Sequence, residues 1–369
     1  MTAERADAMD VFLAASGWSS ATRAPLPGDA STRRYVRLAM NGRRAMLMDQ
    51  PQTAETPAAP ANATPDERRA LGYNAIARLA GADCGRFVAA AKYLRQRGLS
   101  APEIYAAEPA QGFVIIEDLG DALYADVVDA GNEVGLYRAA VDVLAVLHAD
   151  TAPSLLPPDK AFYAYDETAL LAEIDLLTDW FMPVALGRKA SDDEVSEHRA
   201  LWRAVLSNAR KPRSVFVHRD YHAQNLLWLP DRAGVAKVGL IDFQDAVAGT
   251  KAYDLISLIE DARRDVAPDI AESTTKHYLD AMRDQGTPLD EAEFRAQMAV
   301  MAAQRNAKIA GIFARLYKRD GKPRYLNYLP RVWGYLNSDL EHPAMAGLKA
   351  WYDRAIPREK RGAPEGVAA

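Results

Sequence analysis

The sequence contains a single cysteine, Cys84, among 369 residues. An intrachain disulfide is therefore excluded, and such sparse use of cysteine is typical of a reducing compartment. The opening segment, MTAERADAMD, lacks the basic start and the apolar core that a secretory signal peptide needs. We therefore expect the protein to be cytoplasmic.

Long apolar runs and an excess of positive charge are also missing. No uninterrupted apolar stretch approaches the ~18 residues that span a bilayer, and no repeat of about 20–50 residues stands out. With 45 Lys and Arg against 50 Asp and Glu, the formal net charge is −5. Bulk charge therefore does not favour nucleic acid or an anionic membrane as a partner. We expect a small-molecule substrate and a monomer or weak dimer.

Polar clusters follow two short apolar, strand-like runs within residues 216–246. The first cluster is His218-Arg219-Asp220, and Asn225 comes five residues after the aspartate. This reproduces the H-R-D-x-x-x-x-N spacing of a kinase catalytic loop. In such a loop Asp220 would accept the proton of an attacking hydroxyl, and Asn225 would offer an amide oxygen to a magnesium ion.

The second cluster begins at Asp242, which follows the strand-like residues 236–241. A carboxylate at a strand end can hold a magnesium ion, which in turn binds the triphosphate of ATP. Taken singly, Asp220 would cap a turn and Asp242 would end a β-hairpin. Together and in this order, the clusters indicate phosphoryl transfer with ATP and Mg²⁺ as cofactors, Asp220 as base, and Asn225 and Asp242 as metal ligands.

The stretch HRDYHAQNLLW, followed by LIDFQDAVAGTKAYDL, resembles the aminoglycoside phosphotransferase and choline kinase superfamily. Three further stretches, GDASTRRYVRL, FVIIEDLGD and QRNAKIAGIFARL, are similar to its cell-wall sugar kinases, which phosphorylate N-acetylmuramate and N-acetylglucosamine at the anomeric hydroxyl. Gln244 replaces the glycine of D-F-G and no A-P-E segment follows, so no activation loop is implied.

The resemblance implies an α+β, bilobal, protein-kinase-like fold, and the chain length suits one small and one larger lobe. We expect a small antiparallel-sheet lobe for nucleotide binding over residues 1–118, a hinge at 117–120, and a larger, mostly helical catalytic and acceptor-binding lobe over 119–369. At the hinge, adenine would pair with the carbonyl of Glu117 and the amide of Leu119.

A turn at residues 27–32 lies where a kinase places its phosphate-covering loop. It contains one glycine instead of the three of G-x-G-x-x-G, and by itself it reads equally well as an ordinary hairpin turn. With the downstream motifs, the backbone amides near Ala30 and Ser31 become candidate phosphate donors, and Arg33 or Arg34 could add positive charge.

The phosphate-binding lysine of the family is missing. Met48 and Asp49 occupy its region, and the helix over residues 86–96, where its glutamate partner would lie, contains no glutamate. Because both residues of the ion pair are absent, the sequence favours an active enzyme that binds phosphate through other residues over an inactive one. Arg34 and Arg37 on the preceding strand are the first candidates to replace the lysine. Arg68 and Arg69 are the second pair of candidates.

Two features bear on the acceptor, and the first is a helix within residues 163–183. It places Glu173 and Trp180 seven residues apart on one face, near the acceptor pocket that the resemblance implies. An indole and a carboxylate suit sugar stacking and hydroxyl binding. The alternative is that Trp180 belongs to the core and Glu173 is a surface charge.

The second feature is the charge of residues 291–369, which hold 14 Lys or Arg against 8 Asp or Glu. A site for polycationic aminoglycosides needs the reverse. Arg305, Lys308 and Arg315 recur at helical spacing and could receive an anionic acceptor group such as the lactyl carboxylate of muramate. The alternative is a solvated charged face.

Remaining polar residues in the catalytic half are interpreted as structural. His222 would hold the catalytic loop, and Asp254 would anchor the helix that begins near Tyr253 to that loop.

The sequence therefore predicts an ATP-dependent kinase that converts N-acetylmuramate or N-acetylglucosamine to the sugar 1-phosphate, as in peptidoglycan recycling. A choline, ethanolamine or aminoglycoside phosphotransferase is the alternative enzyme, and choline would require a cage of aromatic and acidic side chains. A nucleotide-binding pseudokinase is the alternative of another class.

Overall fold

The computed structural model describes residues 2–27, 32–51, 56–209 and 214–364. The chain divides into two compact units, and both are discontinuous in sequence. The first contains Met1–Val127, Pro153–Tyr163 and Gln224–Ala246, and the second contains Val128–Ala152, Ala164–Ala223 and Val247–Ala369. The predicted lobe boundary at residues 118–119 stays a prediction.

Strands are concentrated in the first unit. Its main sheet has five antiparallel strands in the order β1-β2-β3-β5-β4, and three short strand pairs, β6–β7, β8–β11 and β9–β10, lie outside it. The strands are β1 Thr22–Pro25, β2 Arg34–Met40, β3 Arg43–Asp49, β4 Ile104–Glu108, β5 Phe113–Ile116, β6 Leu155–Leu156, β7 Lys160–Ala161, β8 Val215–Val217, β9 Leu226–Trp228, β10 Val238–Leu240 and β11 Val247–Gly249.

α-Helices occur in both units: of those described, the first four lie in the first unit, and the remainder dominate the second. In the described part of the chain they are α1 Ala3–Ala15, α2 Pro65–Leu71, α3 Cys84–Gln96, α4 Tyr124–Val127, α5 Glu133–Ala149, α6 Glu167–Leu176, α7 Met182–Leu186, α8 Asp192–Ala209, α9 Ala252–Ile259, α10 Pro268–Asp284, α11 Glu291–Asp320, α12 Leu329–Asp339 and α13 Ala346–Ala355. Two single π-helical turns also occur, Asn74–Arg78 and Leu177–Phe181. None of the described helices combines the length and apolar character that crossing a membrane requires.

Local chemistry explains the β2–β3 hairpin. Met40 pairs with Arg43 across a two-residue loop of Asn41 and Gly42, both of which have positive φ, at 52° and 76°. Asn-Gly is the favoured pair for such a type I′ turn, whose twist matches that of the strands.

The spacing of the apolar residues Leu71, Ile76 and Leu79 predicts one helix from Pro65 to about Leu79. That prediction is wrong in its length. Pro65 does begin α2, behind a capping box formed by Thr64 and Glu67. The helix ends at Leu71 because Gly72 follows with a φ of 99°.

Asp49, at the position of the missing lysine, has a structural partner. Its side chain is 1% exposed and accepts hydrogen bonds from the Arg5 guanidinium at 2.6 and 3.0 Å. The Arg5 guanidinium also lies over the ring of Phe113, which stacks on Phe12 of α1. Asp49 therefore joins α1 to the sheet, which is a structural role.

The 30-residue helix α11 is packed very closely against α6 in the second unit. A Cβ atom on Gly311 would lie 2.5 Å from the carbonyl oxygen of Leu176 and would overlap its carbonyl carbon. Glycine is therefore required at this crossing, which sets the separation between the helix that carries Lys308 and the helix that carries Glu173.

We expect Gly311→Ala to destabilise the protein. Alanine normally stabilises a helix interior by about 1 kcal/mol relative to glycine. Here the added methyl group meets main-chain atoms, and overpacking of this kind costs typically about 1–3 kcal/mol or more. Gly334→Ala in α12 is the matched control, because no atom lies within 4 Å of its Cβ position. Unfolding in urea should show a lower midpoint for the first variant and an equal or higher one for the second. Equal midpoints for Gly311→Ala and the wild type would contradict the close crossing.

Candidate functional site

The HRD segment follows β8 in the second unit, and a buried carboxylate fixes its backbone. Asp254 of α9 accepts hydrogen bonds from the main-chain N–H groups of His218 at 2.6 Å and of Arg219 at 2.9 Å. Burial raises the pKa of Asp254 to about 7, although both N–H donors favour the carboxylate and oppose this rise. The prediction that Asp254 anchors its helix to the catalytic loop is confirmed.

Glu173 lies at the centre of a second buried network in this unit. Its carboxylate accepts from the Arg219 guanidinium at 2.5 Å, from Lys308 Nζ at 2.9 Å and from Gln304 Nε2 at 3.1 Å, as well as from the Tyr165 hydroxyl. Burial alone would raise the pKa of Glu173, but Lys308 and Arg219 outweigh it and lower that pKa below its ordinary value. Glu173 is therefore a charged, fully buried group and not a surface charge.

Trp180 does not continue the face of Glu173 on one regular helix. The α-helix ends at Leu176, and Trp180 lies in the π-helical turn Leu177–Phe181 with a half-buried side chain. The wider turn changes the angular spacing on which the shared-face prediction depended. Their roles in acceptor binding stay predictions.

A cavity of about 100 Å³ includes Asp220 in its lining. Four of the described lining residues are cationic. Asp220 is the only carboxylate in the described lining. The cavity therefore combines a carboxylate that can accept a proton with cationic side chains, two of which are paired with Glu173. Its described lining consists of Arg219, Asp220, His222, Tyr253, Ala262, Arg263, Arg305, Lys308, Ile309, Ile312 and Phe313.

Sequence reasoning selected part of this lining and missed the rest. Arg305 and Lys308 were predicted acceptor-site residues and both line the cavity, whereas Arg315 is not among its described lining residues. Arg263 and Phe313 were not predicted. Arg263 lies in a bend after α9 that carries no motif, so its position depends on tertiary packing alone.

The proposed metal ligands lie in the first unit, at the open end of the β9–β10 hairpin: Asn225 comes just before β9, and Asp242 comes shortly after β10. The Ile241 N–H donates to the main-chain oxygen of Asn225 at 3.2 Å, which joins the residues just before β9 and just after β10. Asp242 follows directly, and its side chain is 38% exposed. Within the described ranges, no three His, Cys, Asp or Glu side chains gather as a self-sufficient metal site. One carboxylate and one amide fit Mg²⁺, which usually completes its shell with phosphate oxygens and water.

Arg33 provides the positive charge next to Asp242. Its guanidinium contacts the Asp242 carboxylate at 2.9 Å and donates to Gln244 Oε1 at 2.5 Å, and Gln244 Nε2 donates back to Asp242 at 3.1 Å. Burial lowers the pKa of Arg33, but Asp242 outweighs burial and raises it above its ordinary value. A fixed guanidinium is thus present beside the predicted metal ligand in a unit that lacks the family lysine.

The other predicted phosphate and adenine contacts are only partly described. Arg37 is engaged by Asp118 at 2.8 Å and Asp121 at 2.7 Å, so its charge is already compensated. Arg34 begins β2 and is exposed, while Ala30 and Ser31 lie outside the described residues.

The predicted hinge follows β5. The Glu117 N–H donates to the Glu103 carbonyl at 2.8 Å, and the Glu117 side chain accepts from Arg232 at 2.5 Å. The roles of Glu117 and Leu119 in adenine binding, like those of Arg34, Ala30 and Ser31 in phosphate binding, stay predictions.

Backbone strain coincides with both clusters. In the described part of the chain, four non-glycine residues have positive φ, and two of them are Arg219 at 75° and Asp242 at 64°. This left-handed conformation costs roughly 1–2 kcal/mol for a residue with a side chain. Such strain persists where surrounding contacts over-determine it, commonly at functional sites. Here the Asp254 and Arg33 networks supply those contacts.

Comparison with known proteins agrees with these observations. Residues 22–289 match the family described as phosphotransferase enzyme family. The chain is 44% identical over 368 residues to the N-acetylmuramate/N-acetylglucosamine kinase of Caulobacter vibrioides, covering 98% of this chain and 99% of that protein. It is 31% identical to the protein of the same name from Pseudomonas aeruginosa, over 91% and 90% of the two chains.

A solved structure shows the same fold at low sequence identity. The choline/ethanolamine kinase family protein from Mesorhizobium loti superposes with a TM-score of 0.56 at 16% identity, covering 94% of this chain and 98% of that one. The predicted α+β, kinase-like fold class is confirmed.

Replacing the buried Glu173 carboxylate should destabilise the fold. We expect Glu173→Gln to lower the free energy of unfolding by about 3–5 kcal/mol, because Arg219 and Lys308 would remain buried without their anion. Glu167→Gln on the same helix is the control: Glu167 is 40% exposed and its ion pair with Arg203 is at the surface, so a change below about 1 kcal/mol is expected.

The pH dependence gives a second readout of the same variant. A carboxyl whose folded-state pKa is depressed contributes fully above its ordinary pKa, 4.5 for Glu173, and that contribution is lost as the pH falls through the folded value. The stability gap between the wild type and Glu173→Gln should therefore narrow in acid. A gap that stays constant from neutral pH into the acid range, or one no larger than that of Glu167→Gln, would show that the ion pairs do not stabilise the fold.

Proposed function

We propose that this chain, which belongs to the phosphotransferase enzyme family, transfers the γ-phosphoryl group of ATP to the anomeric hydroxyl of N-acetylmuramate or N-acetylglucosamine. The product would be the sugar 1-phosphate. The full-length relatives named as kinases of these two sugars support this acceptor. The cytoplasm supplies the ATP, and we expect the protein to act there as a monomer or weak dimer.

The observation that carries the acceptor assignment is the charge of the cavity that contains Asp220. Its described lining has four cations and one carboxylate. A polycationic aminoglycoside needs carboxylate partners for its ammonium groups, and choline needs an aromatic and acidic cage. A neutral or anionic sugar avoids this conflict, because it brings no cation that needs a carboxylate partner and its oxygens can accept hydrogen bonds from basic side chains.

Asp220 is the proposed base. Its carboxylate would orient the anomeric hydroxyl and accept its proton as the hydroxyl oxygen forms a bond to the γ-phosphorus. The bond from that phosphorus to the β–γ bridging oxygen breaks, and ADP leaves. Asp254 contributes indirectly, since its hydrogen bonds to the His218 and Arg219 N–H groups hold the loop that presents Asp220.

Asp242 and Asn225 are the proposed Mg²⁺ ligands, and the exposed part of the Asp242 carboxylate fits that role. Bound Mg²⁺ would neutralise charge on the transferring phosphate. Arg33 holds Asp242 in position through its 2.9 Å contact. We expect this guanidinium to supply part of the positive charge for which the family uses a lysine.

A product-resolved acceptor screen tests the function. Purified protein with ATP and Mg²⁺ is offered N-acetylmuramate, N-acetylglucosamine, choline and an aminoglycoside, and ADP release is followed in a coupled assay. Phosphorus NMR of the products should show coupling of the new phosphate to the anomeric proton. Turnover of choline or the aminoglycoside but of neither sugar would overturn the proposal, as would phosphate on any other sugar hydroxyl.

The Asp220→Asn variant tests the proposed base. Because Asp220 acts on the acceptor, its loss should lower kcat by about 10²-fold or more and leave nucleotide affinity nearly unchanged. Asp231→Asn, in an exposed turn, is the control and should behave like the wild type. Steady-state kinetics and titration calorimetry with a non-hydrolysable nucleotide measure the two effects. Parallel losses of turnover and nucleotide binding would instead indicate a folding defect.

A further inference from the structure

Two of the four cations in the Asp220 cavity are already neutralised. Arg219 and Lys308 both contact the Glu173 carboxylate, at 2.5 and 2.9 Å. Lys308 Nζ also lies 3.3 Å from the Tyr253 hydroxyl. A second carboxylate arriving with a ligand would have to share or displace these contacts, so neither cation is well suited to recognise it.

Arg305 is engaged by a main-chain oxygen instead of a carboxylate. Its side chain donates to the main-chain oxygen of Glu260 at 3.0 Å, and the residue is 4% exposed. Turning Arg305 towards a ligand would break this part-buried hydrogen bond, which costs free energy. Arg305 is therefore best explained as a support for the end of α9.

Arg263 differs from the other three cations. It lies half-buried in the bend between α9 and α10, where its main-chain N–H donates to Asp261 Oδ1 at 2.8 Å. In the described part of the chain, the hydrogen-bond partner of its guanidinium is the His222 ring, with Nη1 3.4 Å from Nε2. Among the described residues no carboxylate lies within ion-pair distance of this guanidinium.

His222 does not compensate this charge. Burial lowers the pKa of His222 to about 4, so the ring is neutral at pH 7. A neutral Nε2 can accept one N–H bond from Arg263 and leaves the remaining donors of the guanidinium for another partner.

We infer that Arg263 is the specificity-determining cation of this site and binds a carboxylate substituent of the acceptor sugar, such as the lactyl group of N-acetylmuramate. The inference rests on the proposed function and replaces the predicted candidates Arg305, Lys308 and Arg315. A guanidinium presents its donors as a planar fork that matches a carboxylate in bidentate geometry.

The charges of the cavity also orient such an acceptor. Asp220 and Arg263 line the same cavity with opposite charges. A carboxylate on the sugar is repelled by Asp220 and attracted by Arg263, whereas a hydroxyl can donate to Asp220. The sugar is thereby turned so that its hydroxyl faces the base. N-acetylglucosamine lacks the carboxylate and depends on the remaining contacts.

The test measures kcat/KM for N-acetylmuramate, its neutral methyl ester and N-acetylglucosamine. Arg263→Gln should lower kcat/KM for N-acetylmuramate by about 10- to 100-fold, as expected for loss of a charge-assisted contact. The ester and N-acetylglucosamine should change less than about threefold. Arg263→Lys retains the charge without the fork, so we expect an intermediate loss that is again confined to N-acetylmuramate.

Arg264→Gln is the matched control. This neighbouring arginine donates to Glu133 and to the Val128 carbonyl, each at 3.4 Å, and is not among the described cavity residues. It should affect all three sugars alike. Turnover of N-acetylglucosamine by Arg263→Gln serves as the internal test of folding.

Two failures are distinguishable. If the wild type phosphorylates both sugars and Arg263→Gln slows them equally, or if the ester is as sensitive as the acid, Arg263 does not recognise a carboxylate and the inference is wrong while the proposed function stands. If the wild type phosphorylates neither sugar, the proposed function fails and the inference fails with it.

Discussion

The Glu173 carboxylate has no solvent-exposed area, yet it is charged because Arg219 and Lys308 contact it. A buried charge is tolerated only when it is paired and hydrogen-bonded, so the three side chains must be positioned together. They come from α6, the loop that contains the HRD segment, and α11, and Gly311 allows the two helices to approach closely enough. The position of the loop that carries Asp220 depends on this network.

The first unit uses the same principle near its proposed metal site. Arg33 and Asp242 form an ion pair that holds an aspartate in a strained, left-handed backbone conformation. The absence of the family's lysine and glutamate is thus accompanied by a different cation beside Asp242, the proposed metal ligand. Asp49, which occupies the lysine region, is neutralised by Arg5 and serves the sheet. These contacts support the interpretation that the protein is an active enzyme that binds phosphate through residues other than the family's lysine.

Several features were predictable because their causes are local in the chain. The HRD-x₄-N spacing, the strand before Asp242, the helix over residues 86–96 and the anchoring role of Asp254 were all anticipated from short motifs or periodicity. Helix length was less secure: Gly72 ends α2 early, and a π-helical turn interrupts the segment that carries Trp180. Periodicity assumes a regular helix, so it failed wherever the helix changed its pitch.

The sequence by itself determined the phosphotransferase motifs and the positive charge of the last helices, because spacing and composition record these properties directly. The fold class followed from the resemblance of those motifs to a known superfamily. Only the tertiary structure decided how the cations are used. Lys308 pairs with Glu173 and Arg33 with Asp242, although the partners are far apart in the chain, and Arg263 lies in the cavity without a described carboxylate partner. Spacing reveals which residues share a face of one helix, but it carries no information about the group that packs against that face. Neutralisation of a charge depends on that distant group, and so packing decides which of the cations are paired.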